Sequence, residues 1–278
     1  MTDLGEQLER AWAGEVSGIP GRFSLALSSL DGPVATREAD EPHYAASTIK
    51  LAALAALLHG LEVGAVRPDQ AIAVRDRLPS AVGGRFRLHQ EDDQDDDTWQ
   101  YLGSLTDLML LVDRMITRSG NLAAGLVMDA VGLPAVRGFL DGAGLGNSIV
   151  VNRLIGDHVA DAADVTNTVT AGGLATLMAG IATGTLLGAD ATETALGLLS
   201  LQEHRQMIPA GLPEDAWSAS KGGWVPGVKH DVALVRPLVA PPYVLAVCTT
   251  SNLPDAEGEA LVARLSTITW EHWVAWHA

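Results

Sequence analysis

The stretch Ser47-Thr-Ile-Lys-Leu-Ala-Ala-Leu-Ala-Ala-Leu-Leu58 decides how the rest of the chain is arranged. After Ser47 it is apolar on nearly every side and rich in helix formers, which predicts a buried helix that ends at Gly60. The first turn of this helix carries Ser47 and Lys50. A spacing of three places both side chains on one face, one turn apart.

Strand patterns lie on both sides of this helix, near the two ends of the chain. Upstream, the sequence predicts a helix at 3–14 and strands at 22–29 and 34–38. Downstream, it predicts helices at 105–117, 121–131, 134–141, 171–183, 190–202 and about 254–276, and strands at 216–221, 231–236 and 243–250. The prediction is an α/β (α+β) fold with a five-stranded antiparallel sheet, flanked by the terminal helices. An all-helical subdomain is inserted between strands two and three.

This arrangement predicts two subdomains. Segments 1–46 and 206–278 form the α/β subdomain, and 47–205 form the all-helical one. We expect the active site in the cleft between them, where a small-molecule substrate would bind.

Composition excludes several classes of function. The chain has 278 residues, of which 47% are hydrophobic and 19% charged, as in a folded globular protein. A net charge of −16 repels phosphates and anionic lipid, so we expect neither nucleic acid nor a membrane as a partner. The N-terminus has no basic segment followed by an apolar one, so we expect a cytoplasmic protein. A chain whose leader had been removed would look the same.

Lysine is rare, with three residues against fifteen arginines. The three are Lys50, Lys221 and Lys229. Because lysine can lose its proton at accessible pH and arginine cannot, these positions are candidates for chemistry. The single cysteine, Cys248, lies in an apolar run and is interpreted as a packed small residue.

The pair Ser47 and Lys50 suits nucleophilic catalysis. A serine hydroxyl needs a base, and a lysine is a base only when burial or a second cation keeps it neutral. The helix N-terminus supplies free backbone N–H groups for an oxyanion. The same spacing recurs at Ser218 and Lys221 within a predicted strand, so spacing alone does not decide between function and coincidence.

Two further motifs can complete such a site. In Ser119-Gly-Asn121, Ser119 could relay a proton and Asn121 could hold a substrate amide, although both residues also cap helices routinely. In Lys221-Gly-Gly223, Lys221 would attract a substrate carboxylate and lower the proton affinity of Lys50. The backbone N–H of Trp224 would complete an oxyanion hole, whereas the plain alternative is a turn that ends a strand.

Taken in order, the three motifs resemble the class A β-lactamase and penicillin-recognising serine hydrolase family, whose signatures are S-x-x-K, S-D-N and K-T-G. The segments 115–124, 166–170 and 227–237 resemble the family as well, so the likeness covers nearly the whole chain. The resemblance implies an acyl-enzyme on Ser47 and no cofactor or metal. It implies catalytic roles for Ser47, Lys50, Ser119 and Lys221, and substrate binding by Asn121, Gly222, Gly223 and Trp224.

The chain departs from the family pattern at three places. Gly120 replaces the aspartate of S-D-N, and Gly222 replaces the threonine of K-T-G. Residues 148–170 contain no glutamate, whereas class A enzymes use an Ω-loop glutamate for deacylation. The ionisable candidates there are Asp157, His158, Asp161 and Asp164, with Asp157 expected to pair with Arg153. We therefore expect acylation by penicillins to be readier than deacylation.

Other interpretations stay open. His230 and Asp231 could form a triad with Ser47, but a structural role is favoured. The acidic run 91–97 is interpreted as a solvated loop. A second hypothesis is an esterase, an amidase or a D-alanyl peptidase on the same fold. A third hypothesis is a non-catalytic ligand-binding or scaffold domain.

Overall fold

A computed structural model describes residues 3–278. The helices are α1 Leu4–Glu15, α2 Ile49–Glu62, α3 Asp96–Trp99, α4 Leu108–Thr117, α5 Asn121–Val131, α6 Leu133–Gly142, α7 His158–Asp161, α8 Ala171–Ala182, α9 Ala189–Ser200 and α10 Asp255–His277. The strands are β1 Gly21–Ser29, β2 Gly32–Arg37, β3 His43–Tyr44, β4 Ala71–Ala73, β5 Arg77–Pro79, β6 Arg85–Arg87, β7 Leu105–Asp107, β8 Ile149–Val150, β9 Thr168–Val169, β10 Trp217–Val225, β11 Val228–Arg236 and β12 Tyr243–Ser251. Short 3-10 helices lie at Ala46–Thr48, Gln90–Asp92 and Ile208–Gly211.

Five strands form the main sheet, in the order β10-β11-β12-β1-β2. Every neighbouring pair is antiparallel. Strands β1 and β2 come from the N-terminal part of the chain, and β10, β11 and β12 come from the C-terminal part. The predicted fold, with a mainly helical segment inserted between the second and third sheet strands, is confirmed. The inserted segment is not all-helical, because it also contains the short strands β4 to β9. Because β10 is an edge strand, the backbone groups on its outer side are not used by a sheet neighbour.

The sheet is covered on both faces. On one face, α1 and α10 pack through an apolar cluster that includes Leu8, Trp12 and Leu265. On the other face, the cluster is formed with helices of the inserted segment, including α2 and α8. The interior strand β11 is therefore buried along nearly its whole length. The subdomain boundaries at 46/47 and 205/206 remain a prediction.

Helix α2 is the centre of the second cluster, as its all-apolar sequence predicts. Most of its residues, including Lys50, are buried. The predicted end at Gly60 is wrong, because the helix continues to Glu62. Gly60 keeps helical geometry, and the chain leaves the helix near Gly64, whose φ of 73° is left-handed. A glycine favours a helix end when it adopts that conformation.

Within residues 3–278, no single helix is both long and apolar enough to cross a membrane. The bent pair α5 and α6 meets the length and composition criteria when the two helices are taken together.

Candidate active site

Ser47 lies in the 3-10 turn that leads into α2. Its neighbours Ala45, Ala46, Thr48 and Ile49 are buried, whereas Ser47 itself is half-buried. Ala46 has a φ of 44°, in the left-handed region that a residue with a side chain rarely adopts. Backbone strain of this kind is concentrated at functional sites. The turn therefore presents one serine from an otherwise packed segment.

Lys50 is fully buried in the first turn of α2. Its Nζ lies 2.5 Å from the backbone oxygen of Ser119, 2.9 Å from Asn121 Oδ1 and 3.3 Å from Ser119 Oγ. As a neutral amine it has two N–H groups for the two shorter contacts and keeps its lone pair. Burial lowers the pKa of Lys50 well below its ordinary value, the charge of Lys221 lowers it further, and Asp93 opposes both effects. A lysine in this environment favours the neutral amine, which can accept a proton.

Ser119 joins the two lysines. It is buried, and its φ of 59° forms a left-handed turn between α4 and α5. Lys221 Nζ donates to Ser119 Oγ at 3.0 Å and to the backbone oxygen of Gly222 at 2.7 Å. Burial lowers the pKa of Lys221 to about 7, and Asp231 acts in the opposite direction. The hydroxyl of Ser119 therefore contacts both lysine amines, as a proton relay requires.

The edge strand β10 lies against the Ser47 backbone at Gly223. A Cβ atom placed on Gly223 would stand 2.7 Å from the Ser47 nitrogen and 2.6 Å from the Thr48 nitrogen. Only glycine allows this approach, because the atoms it meets belong to a backbone that cannot move aside. The next residue on the strand is Trp224, half-buried, whose N–H we predicted for the oxyanion hole. At Gly222, the corresponding space faces the Met207 methyl group at 2.7 Å.

Asn121 is the first residue of α5, and its side chain bridges two segments. Its Oδ1 accepts from Lys50, and its Nδ2 donates to the Asp92 backbone oxygen at 3.0 Å and to Gln94 Oε1 at 3.4 Å. The structure thus brings Ser119 to both lysines, Asn121 to Lys50, and β10 to Ser47. The chemical roles of these residues remain predictions.

The acidic run 91–97 is only in part the solvated loop that its composition predicted, since Glu91, Asp92, Gln94 and Asp96 are exposed but Asp93 and Asp95 are held by other segments. Asp95 is buried and accepts from Arg118 Nη1 at 3.2 Å. Asp93 accepts from the backbone nitrogens of Asn121 at 2.6 Å and Leu122 at 2.8 Å. The prediction fails for these carboxylates because they have partners, namely Arg114 on α4, Arg118 directly after it, and the start of α5. The available signal was the pair Arg114 and Arg118, four residues apart at the end of α4 and just beyond it.

The predicted pair Asp157–Arg153 is also wrong. Arg153 Nη2 donates to Asp161 Oδ1 at 2.8 Å and to the Tyr44 hydroxyl at 2.9 Å. Asp157 caps α7 by accepting from the Ala160 nitrogen at 3.1 Å, and it also accepts from the Ala81 nitrogen at 2.8 Å. An i, i+4 pair requires helix between its members, whereas the chain turns at Gly156 with a φ of 75°.

His230 has a structural position. Its Nδ1 accepts from the Thr249 nitrogen at 3.0 Å, so its Nε2 donates to the Tyr44 backbone oxygen at 2.9 Å. Asp231 accepts instead from the Ile208 nitrogen at 3.0 Å. Both ring nitrogens are used, which agrees with the favoured interpretation and not with a triad.

Within residues 3–278, no group of three or more His, Cys, Asp or Glu side chains is arranged to hold a metal ion. The expectation that the protein needs no metal or cofactor remains a prediction.

Fold and site together define a serine hydrolase with the β-lactamase-like fold. Residues 7–273 match the model of the beta-lactamase enzyme family, and the chain belongs to that family. A beta-lactamase from Streptomyces fradiae is 31% identical over 177 residues, which are 58% of this chain and 54% of that protein. The matched segment thus spans about half the length of this curated relative.

Solved structures share the fold along nearly the whole chain. A beta-lactamase from Xanthomonas campestris superposes with a TM-score of 0.84 at 20% identity, covering 98% of this chain and 99% of that one. A mutant of PBP-A, solved as an acyl-enzyme complex with penicillin G, superposes with a TM-score of 0.81 at 23% identity. That match covers 96% of each chain.

Proposed function

We propose that the protein is a class A-type acyl-transfer hydrolase that forms an acyl-enzyme on Ser47 with β-lactams or related amides and esters. Ser47 Oγ attacks the carbonyl carbon while its proton passes to the neutral amine of Lys50. The C–N or C–O bond then breaks, and Ser119 Oγ, resupplied by Lys221, gives a proton to the leaving atom. The N–H groups of Ser47 and Trp224 hold the oxyanion.

The observation that carries this proposal is the environment of Lys50. Its ammonium would be fully buried, yet all three of its hydrogen-bond acceptors are neutral oxygens of Ser119 and Asn121. A buried ammonium without a carboxylate partner in contact is costly, so a packing role would not favour lysine here. A neutral amine next to the turn that presents Ser47 supports a role as its base.

The substrate class follows from the charges near β10. Lys221, in the middle of the edge strand β10, would attract a carboxylate, which penicillins carry next to the lactam ring. The penicillin complex of the PBP-A mutant, which shares the fold, supports this choice. With no glutamate between 148 and 170, we propose that deacylation is slow and the acyl-enzyme accumulates.

The test is intact-protein mass spectrometry after mixing with benzylpenicillin, followed by peptide mapping. We expect one adduct with the mass of the whole penicillin, located on Ser47 and lost in Ser47→Ala. No adduct together with no turnover of nitrocefin would overturn the proposal.

Turnover assays and labelling of the Ser47→Ala variant separate the alternative activities. Turnover of p-nitrophenyl esters without reaction with nitrocefin would indicate an esterase or amidase on the same site. Labelling that is unchanged in Ser47→Ala would favour the non-catalytic reading.

A further inference from the structure

The turn Ser119-Gly120-Asn121 lacks the side chain that would normally stabilise it from within. Gly120 occupies the N-cap position of α5 and offers no side-chain cap. The first backbone N–H groups of a helix need acceptors, and a short polar side chain at the N-cap is the usual source. Here the acceptors come from a different part of the chain.

Asp93 supplies this cap. One carboxylate oxygen accepts from the Asn121 nitrogen at 2.6 Å, and the other accepts from the Leu122 nitrogen at 2.8 Å. Trp99 Nε1 donates to the second oxygen at 2.9 Å and so fixes the carboxylate plane. A carboxylate at the N-terminus of a helix is also favoured by the helix dipole.

Asp95 fills the space beside Gly120. A Cβ atom on Gly120 would stand 3.0 Å from Asp95 Cβ and 3.4 Å from Asp95 Oδ2. The Asp95 side chain is buried and is held by the Thr98 hydroxyl and by Arg118. An aspartate at the middle position of the motif would therefore collide with this one. The chain carries a carboxylate at this place, but it comes from the acidic segment.

The backbone of the same segment holds the Asn121 side chain. Asn121 Nδ2 donates to the Asp92 oxygen, which turns Oδ1 toward Lys50. The segment 92–95 thus contacts the turn through its backbone, a cap and a buried side chain. Ser119 and Asn121, the acceptors of Lys50, are the groups that this contact fixes in place.

We propose that Asp93 and Asp95 are positioning residues for acylation of Ser47, which fix the Ser119-Gly120-Asn121 turn against Lys50 in place of the side chain that Gly120 lacks. The inference rests on the proposed function. It assigns a role in the reaction to Asp93 and Asp95, which precede Ser119 by 26 and 24 residues.

The first test compares Asp93→Asn with Asp96→Asn as a matched control. The amide keeps one acceptor but faces the second backbone N–H with an NH2 group, so one cap bond is lost. Asp96 lies in the same segment, is exposed, and its side chain accepts from Gln90. We expect the acylation rate with a fluorescent penicillin to fall about 10- to 100-fold in Asp93→Asn, since small displacements of reacting groups have effects of this size. Asp96→Asn should react as the unchanged protein does.

The pH profile separates positioning at the site from general destabilisation. The charged groups that act on Lys50 are Lys221 and Asp93, and burial and then both lysines lower the pKa of His204 across the site. Asp93 favours the protonated lysine, so its removal lowers the pKa of Lys50 further. The acid limb of the acylation profile should move to lower pH in Asp93→Asn and stay in place in Asp96→Asn. A loss of rate with an unmoved limb and a lowered melting temperature would overturn the proposal, as would a rate within threefold of the unchanged protein.

An exchange of side chains tests the second residue without depending on the fold of Asp93→Asn. Asp95→Gly and Gly120→Asp should each lower the acylation rate about tenfold or more. The double variant should recover most of that loss, because one carboxylate again occupies the space. Additive losses in the double variant would overturn the role of Asp95. If the unchanged protein itself is not acylated, the proposed function fails and this inference falls with it.

Discussion

Gly223→Ala is the sharpest perturbation of the oxyanion site. The added methyl group would lie 2.6 Å from the Thr48 nitrogen and 2.7 Å from the Ser47 nitrogen. An ordinary contact needs about 3.4 Å, so β10 and the Ser47 turn must separate by about 3.4 − 2.6 = 0.8 Å. The displaced groups are backbone, and a shift of this size moves the two predicted oxyanion donors apart.

The expected effect follows from two independent magnitudes. Loss of one oxyanion donor costs about 100- to 1000-fold in rate, and a misplacement near 1 Å costs about 100-fold. We expect Gly223→Ala to lower the acylation rate of benzylpenicillin by about 100-fold or more, measured by stopped-flow with a fluorescent penicillin. Overpacking should cost about 1–3 kcal/mol of stability, which urea unfolding would report.

Two other glycines provide the comparison. At Gly222 the one close contact of the added methyl is the end of the flexible Met207 side chain, and the other atoms lie at 3.6 Å or more, so Gly222→Ala should lower the rate less than tenfold. Gly138, exposed on α6 with open space around it, should tolerate alanine and gain about 0.5–1 kcal/mol. If Gly223→Ala folds and acylates within threefold of the unchanged protein, the close approach of β10 to Ser47 does not form the oxyanion site.

Three further outcomes are expected. Lys50→Arg keeps a cation that cannot deprotonate, so the rate of Ser47 acylation by benzylpenicillin, followed by mass spectrometry, should fall about 100- to 10,000-fold. Lys229→Arg serves as the control variant. A loss of less than tenfold in Lys50→Arg would contradict a base at position 50. Since the pKa of Lys221 is about 7, the acylation rate with benzylpenicillin should fall about tenfold for each pH unit above 7. Hydrolysis of p-nitrophenyl acetate, which carries no carboxylate, should not show this decrease. Parallel pH profiles for the two substrates would contradict a carboxylate site at Lys221. Burial, and then the charge of Arg22, lowers the pKa of His43 to about 4, so the folded protein binds fewer protons than the unfolded chain between pH 4 and 6.5. Relative to His43→Gln, the free energy of unfolding of the unchanged protein should therefore fall by about 2 kcal/mol as the pH drops from 7.5 to 5.0, measured by urea titration with His59→Gln as the reference variant. A difference between the two proteins that is the same at both pH values would contradict this.

The sequence predicted the sheet and the main helices because their signals are local. Apolar runs such as 243–250 and the periodic pattern of 3–14 depend only on neighbouring residues, and each became an element within a few positions. The three motifs could also be identified from the sequence, since the order of Ser47, Ser119 and Lys221 along the chain resembles that of the class A β-lactamase family. Their contacts in space could not be derived from spacing alone.

The errors share one cause, which is that side-chain partners are set by tertiary structure. The acidic run was interpreted by composition, which carries no information that Asp93 would cap a helix beginning at Asn121. The pairing of Arg153 was predicted from a helical spacing, but the chain turns at Gly156 and brings Asp161 to it instead. A short acidic loop and a capping segment have the same composition, so only the positions of α4 and α5 distinguish them.

The same contacts limit which group in 148–170 could act as a base for deacylation. Asp157 is fully buried and its carboxylate accepts from two backbone nitrogens, and Asp161 is paired with Arg153. The oxygens of these two carboxylates are thus already engaged by backbone N–H groups or by an arginine, which leaves them poorly placed to bind and orient a water. Only His158 and Asp164 remain, both exposed to solvent. We therefore propose that this segment offers no group inside a closed site to activate a water, and that the acyl-enzyme persists because the aspartates are used in the fold.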